Sequence, residues 1–291
     1  MVRLAGRRST GRMAHDTRTH KPILIVGGTG MTGRRVADRL TGRSLPVRIG
    51  SRSSEPPFDW ENQATWAPAL HGVGSAYVTF YPDLAVPGST DAIRAFTDLA
   101  LGAGVRRIVL LSGRGEEEAE ACERILQASG ADWTILRSTW FAQNFSESTF
   151  LEPVLSGEVA LPVGDVREPF VDADDIADVA VAALTEDGHA GQLYELTGPR
   201  LLTFAEAVDE IAEAAGRKVR FVQISREEYA AELAAEGLPP EVIELVSYLF
   251  TTVLDGRNDH LADGVQRVLG RPPRDFADFA RDAAAAGVWN G

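Results

Sequence analysis

Gly27, Gly30 and Gly33 are the residues whose spacing first points to chemistry. They lie in the run Gly27-Gly28-Thr29-Gly30-Met31-Thr32-Gly33, after the apolar tetrapeptide Ile23-Leu24-Ile25-Val26. An amphipathic stretch with Gly33, Val36, Ala37 and Leu40 on one face follows. Each glycine has a task if this turn holds a pyrophosphate. Gly27 permits the tight turn, Gly30 lets backbone approach the phosphates, and Gly33 lets the helix pack against the strand. The helix start adds free N–H groups and the positive end of its dipole. Strand, turn and helix fall where a dinucleotide site requires them. The bland alternative is a glycine-rich turn without a ligand.

The end of the second strand, Pro46–Ile49, bears on which dinucleotide. It runs into Gly50-Ser51-Arg52-Ser53, and no Asp or Glu occurs between Arg39 and Ser54. An acid there would bind the ribose 2′-hydroxyl of NAD(H). A guanidinium with hydroxyls suits a 2′-phosphate, by charge and by fork geometry. NADP(H) is therefore expected over NAD(H), against the alternative of a solvated loop arginine.

Other clusters read more plainly. Asp172, Asp174, Asp175 and Asp178 could suggest a metal, but no histidine joins them, and acids in a first helical turn complement the dipole. His15, His20, His71, His189 and His260 form no H-x-x-x-H pair, so no metal site is expected. Glu116–Glu118 with Glu120 and Glu123 reads as the solvated start of a helix, with a catalytic glutamate as the alternative. Ser112 is either a proton relay or a strand-end serine bonded to backbone, and Cys122 is a small core residue.

These residues must be positioned by a regular scaffold. Ala76–Phe80, Arg107–Leu111 and Trp133–Leu136 continue the strand series. The intervening helices carry Ile93, Phe96, Ala100 and Ala103, and then span about Glu116 to Ser129. Such alternation predicts right-handed βαβ units and a parallel sheet. Further on, Val159–Val163, Gln192–Leu196 and Val219–Ile224 read as strands. Ile176, Val179, Ala180, Ala183 and Leu184 form a helical stripe. Thr203-x-x-Glu206 and Ser225-x-x-Glu228 are capping boxes. The first opens a helix with Phe204, Val208, Ile211 and Ala215 inward. The helix Glu241–Leu254 is so apolar that burial on two sides is expected, over a pocket or against a partner subunit. The division expected is a disordered leader over 1–20, a nucleotide-binding domain over 21–150 and a smaller substrate lobe over 151–291, with about 170–198 returning to the sheet.

Composition closes off other classes. The 291 residues carry 42 acids against 29 bases, a formal charge of −13 that repels phosphate backbones, so direct nucleic-acid binding is not expected. A single cysteine excludes an internal disulfide framework. No run of about 18 apolar residues occurs, and residues 1–20 lack the apolar stretch of a secretory signal, so a cytoplasmic protein without a membrane span is expected.

Three segments carry a family resemblance: GGTGMTGRRV, FDWENQATWAPAL and RRIVLLSGRGEEEAEACERILQASGADWTILRSTWFAQNF. Over about residues 22–200 the chain resembles the NmrA-like branch of the atypical short-chain dehydrogenases/reductases, near its festuclavine-dehydrogenase and triphenylmethane-reductase types. The resemblance implies an α/β, doubly wound parallel-sheet Rossmann fold with a smaller C-terminal substrate lobe, and NADP(H) as cofactor. It implies that Gly27, Thr29, Gly30, Met31, Thr32 and Gly33 form the phosphate loop, and that Ser51 and Arg52 meet the 2′-phosphate. Asp59 and Trp60 would border adenine. Tyr81, Pro82, Ser112 and Gly113 would lie toward the nicotinamide ribose. Trp140, Phe141, Gln143, Asn144 and Phe145, with Ala142, would line the nicotinamide and substrate side, against the alternative of ordinary core packing for Trp140, Phe141 and Phe145. The family often has Pro where this chain has Ser138.

One departure is more informative. Typical short-chain dehydrogenases use Tyr-x-x-x-Lys, and no tyrosine here has a lysine four residues on; the two positions fall near Gly115 and Ala119. The only lysines are Lys21 and Lys218. The expected activity is hydride transfer from NADPH to a planar apolar acceptor such as an imine, enone, quinone or dye-like molecule, with Ser112 and Tyr81 assisting at most. The alternative is an NADP(H)-sensing regulator of the NmrA type that acts through a protein partner. The chain would be a monomer or a homodimer.

Overall fold

A computed structural model describes residues 21–290; the expected leader over 1–20 lies outside them. The first half runs β1 (Ile23–Val26), α1 (Met31–Gly42), β2 (Val47–Gly50), α2 (Trp66–Leu70), β3 (Ser75–Val78), α3 (Ser89–Gly102), β4 (Arg107–Gly113), α4 (Glu117–Gln127) and β5 (Asp132–Ser138). The chain continues through α5 (Asn144–Glu147), α6 (Leu151–Ser156), β6 (Glu158–Leu161), β7 (Arg167–Glu168), α7 (Ala173–Thr185) and β8 (Gln192–Leu196). It ends with β9 (Leu202–Thr203), α8 (Phe204–Ala215), β10 (Arg220–Gln223), α9 (Arg226–Ala235), α10 (Pro240–Tyr248), α11 (Gly264–Leu269) and α12 (Phe276–Ala285).

Six strands form one parallel sheet in the order β2-β1-β3-β4-β5-β8. The unbroken apolar run of β1 is wholly buried because helices cover both faces. Val36, Ala37 and Leu40 of α1 pack with Ile176, Val179, Ala180 and Ala183 of α7 on one face. Leu70, Ile93, Phe96, Cys122 and Leu126, from α2, α3 and α4, pack on the other. This is the doubly wound Rossmann arrangement. Strand order reverses between β1 and β3, which opens a crevice at their carboxyl ends.

A third core forms beside the sheet from Phe145, Phe150, Phe170, Phe204, Phe250, Phe276 and Trp289. Two small sheets frame it, β6 with β10 in parallel and β7 with β9 antiparallel. Both capping boxes are formed: Thr203 and Glu206 bond each other's backbone N–H at α8, and Ser225 and Glu228 do so at α9. Phe204, Val208 and Ile211 face inward as their spacing requires, whereas Ala215 is half-buried.

Three expectations need correction. Ala103 does not join the inward stripe of α3: the helix ends at Gly102, and Ala103 turns to solvent before Gly104 at φ +90°. The strand expected to reach Phe80 stops at Val78, because Thr79 and Phe80 peel away toward the crevice. The apolar segment after Pro240 is not buried on two sides. Its α-helix stops at Tyr248, a wider π turn covers Leu249–Val253, and Val242, Ile243, Leu245, Val246 and Leu249 stay half-buried. It does lie over a pocket, the first of the two settings expected: Leu245, Val246, Leu249 and Phe250 roof a cavity.

Candidate active site

The glycine turn is built as an anion cradle. Gly30 is the N-cap of α1 and no side chain caps the helix, so its first N–H groups have no intrahelical partner. Gly27 adopts φ +73°, a left-handed conformation that glycine takes without cost. A Cβ on Gly33 would run into the Gly27 carbonyl oxygen and lie 2.8 Å from its carbon. Gly33 therefore sets how closely α1 approaches the turn. Thr29 is exposed and Met31 half-buried at the mouth, while Thr32 is buried and accepts the Tyr77 hydroxyl at 3.0 Å. Burial holds the Tyr77 phenol well above its usual range, so it stays a donor. This cradle, with room that a Cβ would remove, fits a dinucleotide pyrophosphate.

The end of β2 is tied to the same turn. Gly27 and Gly28 donate their N–H groups to the Gly50 carbonyl at 2.9 and 3.3 Å. Ser51 and Arg52 follow immediately. The Ser54 hydroxyl donates to the Ser51 carbonyl and accepts the Ser51 N–H, which fixes the loop. Arg52 is exposed, its guanidinium 5.6 Å from the Tyr81 ring centroid. Trp60 donates its indole N–H to the Thr79 carbonyl at 3.0 Å and packs on Phe80, 4.8 Å between centroids. Asp59 shapes its own loop, accepting the Trp66 indole and the Glu61 N–H.

Past Thr79 the crevice deepens into a cavity of about 390 Å³ at the carboxyl ends of β3, β4 and β5. Pro82, Ser112, Gly113, Trp140, Phe141 and Asn144 line it, as the resemblance implied they would face nicotinamide and substrate. Trp140 stacks on Phe150 at 6.1 Å and 14° and tilts against Phe250 at 5.1 Å. Gln143 and Phe145 are not brought to the cavity. Gln143 is buried behind it, donating to Asp172 and accepting the Ala173 N–H, so it clamps the start of α7. Phe145 is consumed by the aromatic core of the lobe. Tyr81 is 69% exposed and does not line the cavity.

The polar groups of the cavity differ from the expectation. Ser112 donates to Glu123 at 2.7 Å, and Glu123 is held in turn by Arg137, so the hydroxyl proton is engaged internally. The run from Glu116 is not uniformly solvated: Glu116 and Glu123 are buried while Glu117 and Glu118 are exposed. Glu116, Asp83, Arg114, Ser138 and Thr139 all border the cavity, and spacing marked neither Asp83, Arg114 nor Thr139. The available signal was their position just after strand ends, where this fold places ligands. The Asp172 group caps and pairs: Asp172 accepts the Asp174 N–H, while Asp175 and Asp178 accept from Arg271.

Behind Thr139 lies Glu168, fully buried, its carboxyl accepting the Thr139 hydroxyl. Burial raises its pKa to about 7; Thr139 and the nearby Arg114 charge oppose the rise only in part. The unfolded chain loses this proton near the ordinary glutamate value, so the folded state binds it more tightly between there and about pH 7. Stability should fall as pH rises through that window and level off above it. Glu168→Gln is expected to remove this share of the decline, on the order of 3 kcal/mol for a shift of this size. Denaturant melts of both proteins from pH 5 to 8 check it, and parallel pH profiles would contradict it.

A family model described as NAD(P)H-binding matches residues 27–187, from the glycine turn through α7. The chain belongs to the NAD(P)H-binding family. Consistent with the NmrA-like, festuclavine-dehydrogenase-type resemblance, this family member is 31% identical to an agroclavine dehydrogenase of Claviceps fusiformis, over 89% of this chain and 96% of that one. It is 32% identical to an NAD(P)H azoreductase of Xenophilus azovorans, over 91% and 98%. The fold of this NAD(P)H-binding protein is also that of an NADPH-dependent quinone oxidoreductase of Escherichia coli complexed with NADPH (TM-score 0.75, 22% identity, 89% and 99% covered). The protein is an NAD(P)H-dependent oxidoreductase.

Proposed function

We propose that this NAD(P)H-binding protein is an NADPH-dependent reductase of small planar, apolar acceptors: imines, enones, quinones or dye-like molecules. The observation that carries this reading is the cavity of about 390 Å³ beside the glycine turn, walled by Trp140, Phe141, Phe150, Leu249 and Phe250. NADPH, when bound, supplies the hydride. The chain supplies placement. The glycine turn and the start of α1, from Gly27 through Thr29, Gly30, Met31, Thr32 and Gly33, hold the pyrophosphate, and Ser51 with Arg52 meets the 2′-phosphate. Asp59 and Trp60 border the adenine side, Trp60 braced by Thr79 and Phe80. Pro82, Ser112 and Gly113 face the nicotinamide ribose. The aromatic wall excludes water and keeps a flat acceptor parallel to it, and such alignment contributes up to about 7–11 kcal/mol in favourable cases. No helix among the described residues is long and apolar enough to cross a membrane. The protein works on its acceptor as a monomer or homodimer, without nucleic acid.

With Ser112 committed to Glu123 and Tyr81 outside the cavity, neither is a dedicated acid. Positioned acids contribute about 10²–10⁴-fold, so Ser112→Ala and Tyr81→Phe should each cost less than about tenfold in turnover. Trp140→Ala should cost more than about tenfold through lost alignment, while NADPH binding persists. Turnover and NADPH titration of the three variants decide this. A collapse of about a hundredfold in either polar variant, with binding intact, would overturn the assignment. The function itself is tested by NADPH oxidation with a panel of quinones, enones and cyclic imines. Acceptor-dependent turnover supports the reductase; tight NADPH binding without turnover across the panel would replace it with a sensor.

A further inference from the structure

We propose that Glu116, paired with Asp83 at the cavity wall, is the catalytic proton donor to the reduced acceptor, in place of the missing Tyr-x-x-x-Lys acid. This rests on the reductase reading. Both side chains border the cavity, Asp83 from the loop after β3 and Glu116 from the turn after β4. The Glu116 carboxyl lies directly over the Cα of Gly113, where any side chain at 113 would displace it. Glu116 is 9% exposed, and its Oε2 has no hydrogen-bond partner among the described residues. An apolar cavity with one unpartnered carboxyl oxygen on its wall is built to donate or accept a proton there.

Asp83 explains why the Glu116 carboxyl carries a proton. The two carboxyls are close neighbours on the cavity wall, so a second negative charge there meets repulsion and one of them is favoured in its neutral form. Burial raises Asp83 as well, but it accepts the Ala85 N–H at 2.8 Å, which favours its ionised form over that of Glu116. Glu116 is raised well above the usual carboxylate range by burial and then by the Asp83 charge, with Glu118 and Glu123 of α4 adding repulsion. Tyr248 of α10 faces the same acids and brings no positive charge. The neighbouring cations are engaged by other groups. Arg114 donates to the Asn258 and His260 carbonyls and lies 3.4 Å from Glu195. Arg257 grips Asp255 and donates to the Gly115 carbonyl. Two carboxyls kept this close ionise in separate steps, and the one held neutral serves as the acid.

The balance is simple. Two-electron reduction of a quinone, enone or neutral imine consumes one hydride, which NADPH supplies, and one proton. The Glu116 O–H bond breaks and its electron pair stays on the carboxylate. The proton forms the new O–H, C–H or N–H bond of the product. Water then reprotonates the pair through half-buried Asp83. An N-alkylated iminium consumes hydride alone and has no use for the acid.

That difference is the test. Glu116→Gln should lose about 10²–10⁴-fold in kcat with a quinone, the usual contribution of a positioned acid. It should keep its turnover of an N-methyl iminium and its NADPH affinity. Wild-type quinone turnover should fall as pH rises through the Glu116 pKa, and the variant should lack that limb. Asp83→Asn, a change at a positioning residue, should move the limb to lower pH and keep iminium turnover. Independently of activity, the ligand-free protein should show an infrared band of a neutral carboxyl at neutral pH that Glu116→Gln removes. Equal losses on both acceptors, an unimpaired variant, or no such band would each overturn the proposal. A wild type that reduces neither acceptor would sink the reductase reading and this proposal with it.

Discussion

Replacing Gly33 with alanine is expected to weaken NADPH binding by at least about a hundredfold, equivalent to about 2.7 kcal/mol, and to lower stability. The cause is backbone against backbone. The added methyl would meet the Gly27 carbonyl and come within 3.0 Å of the Gly28 Cα, and neither neighbour can rotate aside. Relieving that overlap means moving α1 off the turn or moving the turn itself. Overpacking of this sort typically costs about 1–3 kcal/mol of stability. Either movement takes the first N–H groups of α1 out of the place where a pyrophosphate would meet them. Calorimetric titration with NADPH, alongside a thermal melt, measures both effects. Unchanged affinity in a protein of unchanged melting temperature would show that the turn is not the phosphate site.

The second large effect is expected at Arg52. Its side chain is exposed on the loop that follows β2, and the Gly50 carbonyl ties that loop to the glycine turn. A charge-assisted pair with the 2′-phosphate is worth about 1.5–3 kcal/mol, so Arg52→Ala should weaken NADPH by that amount while NADH binding barely changes. The Tyr81 ring beneath the guanidinium offers a resting place without competing charge. Equal losses for the two cofactors would assign Arg52 to the loop instead of the phosphate.

The nucleotide half of the site was legible because its signal is local. A four-residue apolar strand, three glycines and an amphipathic helix are adjacent in sequence, and the physics of the turn needs nothing further away. The absence of an acid near Ser51 is equally local. The substrate half was only partly legible. Trp140, Phe141 and Asn144 reach the cavity and Gln143 and Phe145 do not. Which residues of that segment face inward depends on how α7 and the lobe pack behind it, and spacing within the segment does not carry that information. Phe150 was missed for the same reason, whereas the apolar excess of the segment holding Leu249 and Phe250 already pointed to a pocket. The apolarity of Phe150 reads as core until the cavity between two cores is seen.

Glu116 shows the limit most clearly. A run of three glutamates ahead of an amphipathic helix has the pattern of a solvated, dipole-matched start. Glu117 and Glu118 follow that pattern. Glu116 stands one residue before the helix, where extended backbone turns its carboxyl back over Gly113 and toward Asp83, far away in sequence. Only the sheet, by setting the ends of β3 and β4 side by side, brings the two acids together.

The most direct measurement of the central claim is isotopic. NADPH carrying deuterium at C4 of its nicotinamide, taken separately as each of the two epimers, is incubated with the protein and a cyclic imine or enone, and the product is examined by mass spectrometry. Deuterium from one epimer only, bound to the carbon that was reduced, is the expected result: direct transfer from a fixed face within the cavity. Product without deuterium from either epimer, or bound NADPH that yields no product at all, would contradict it.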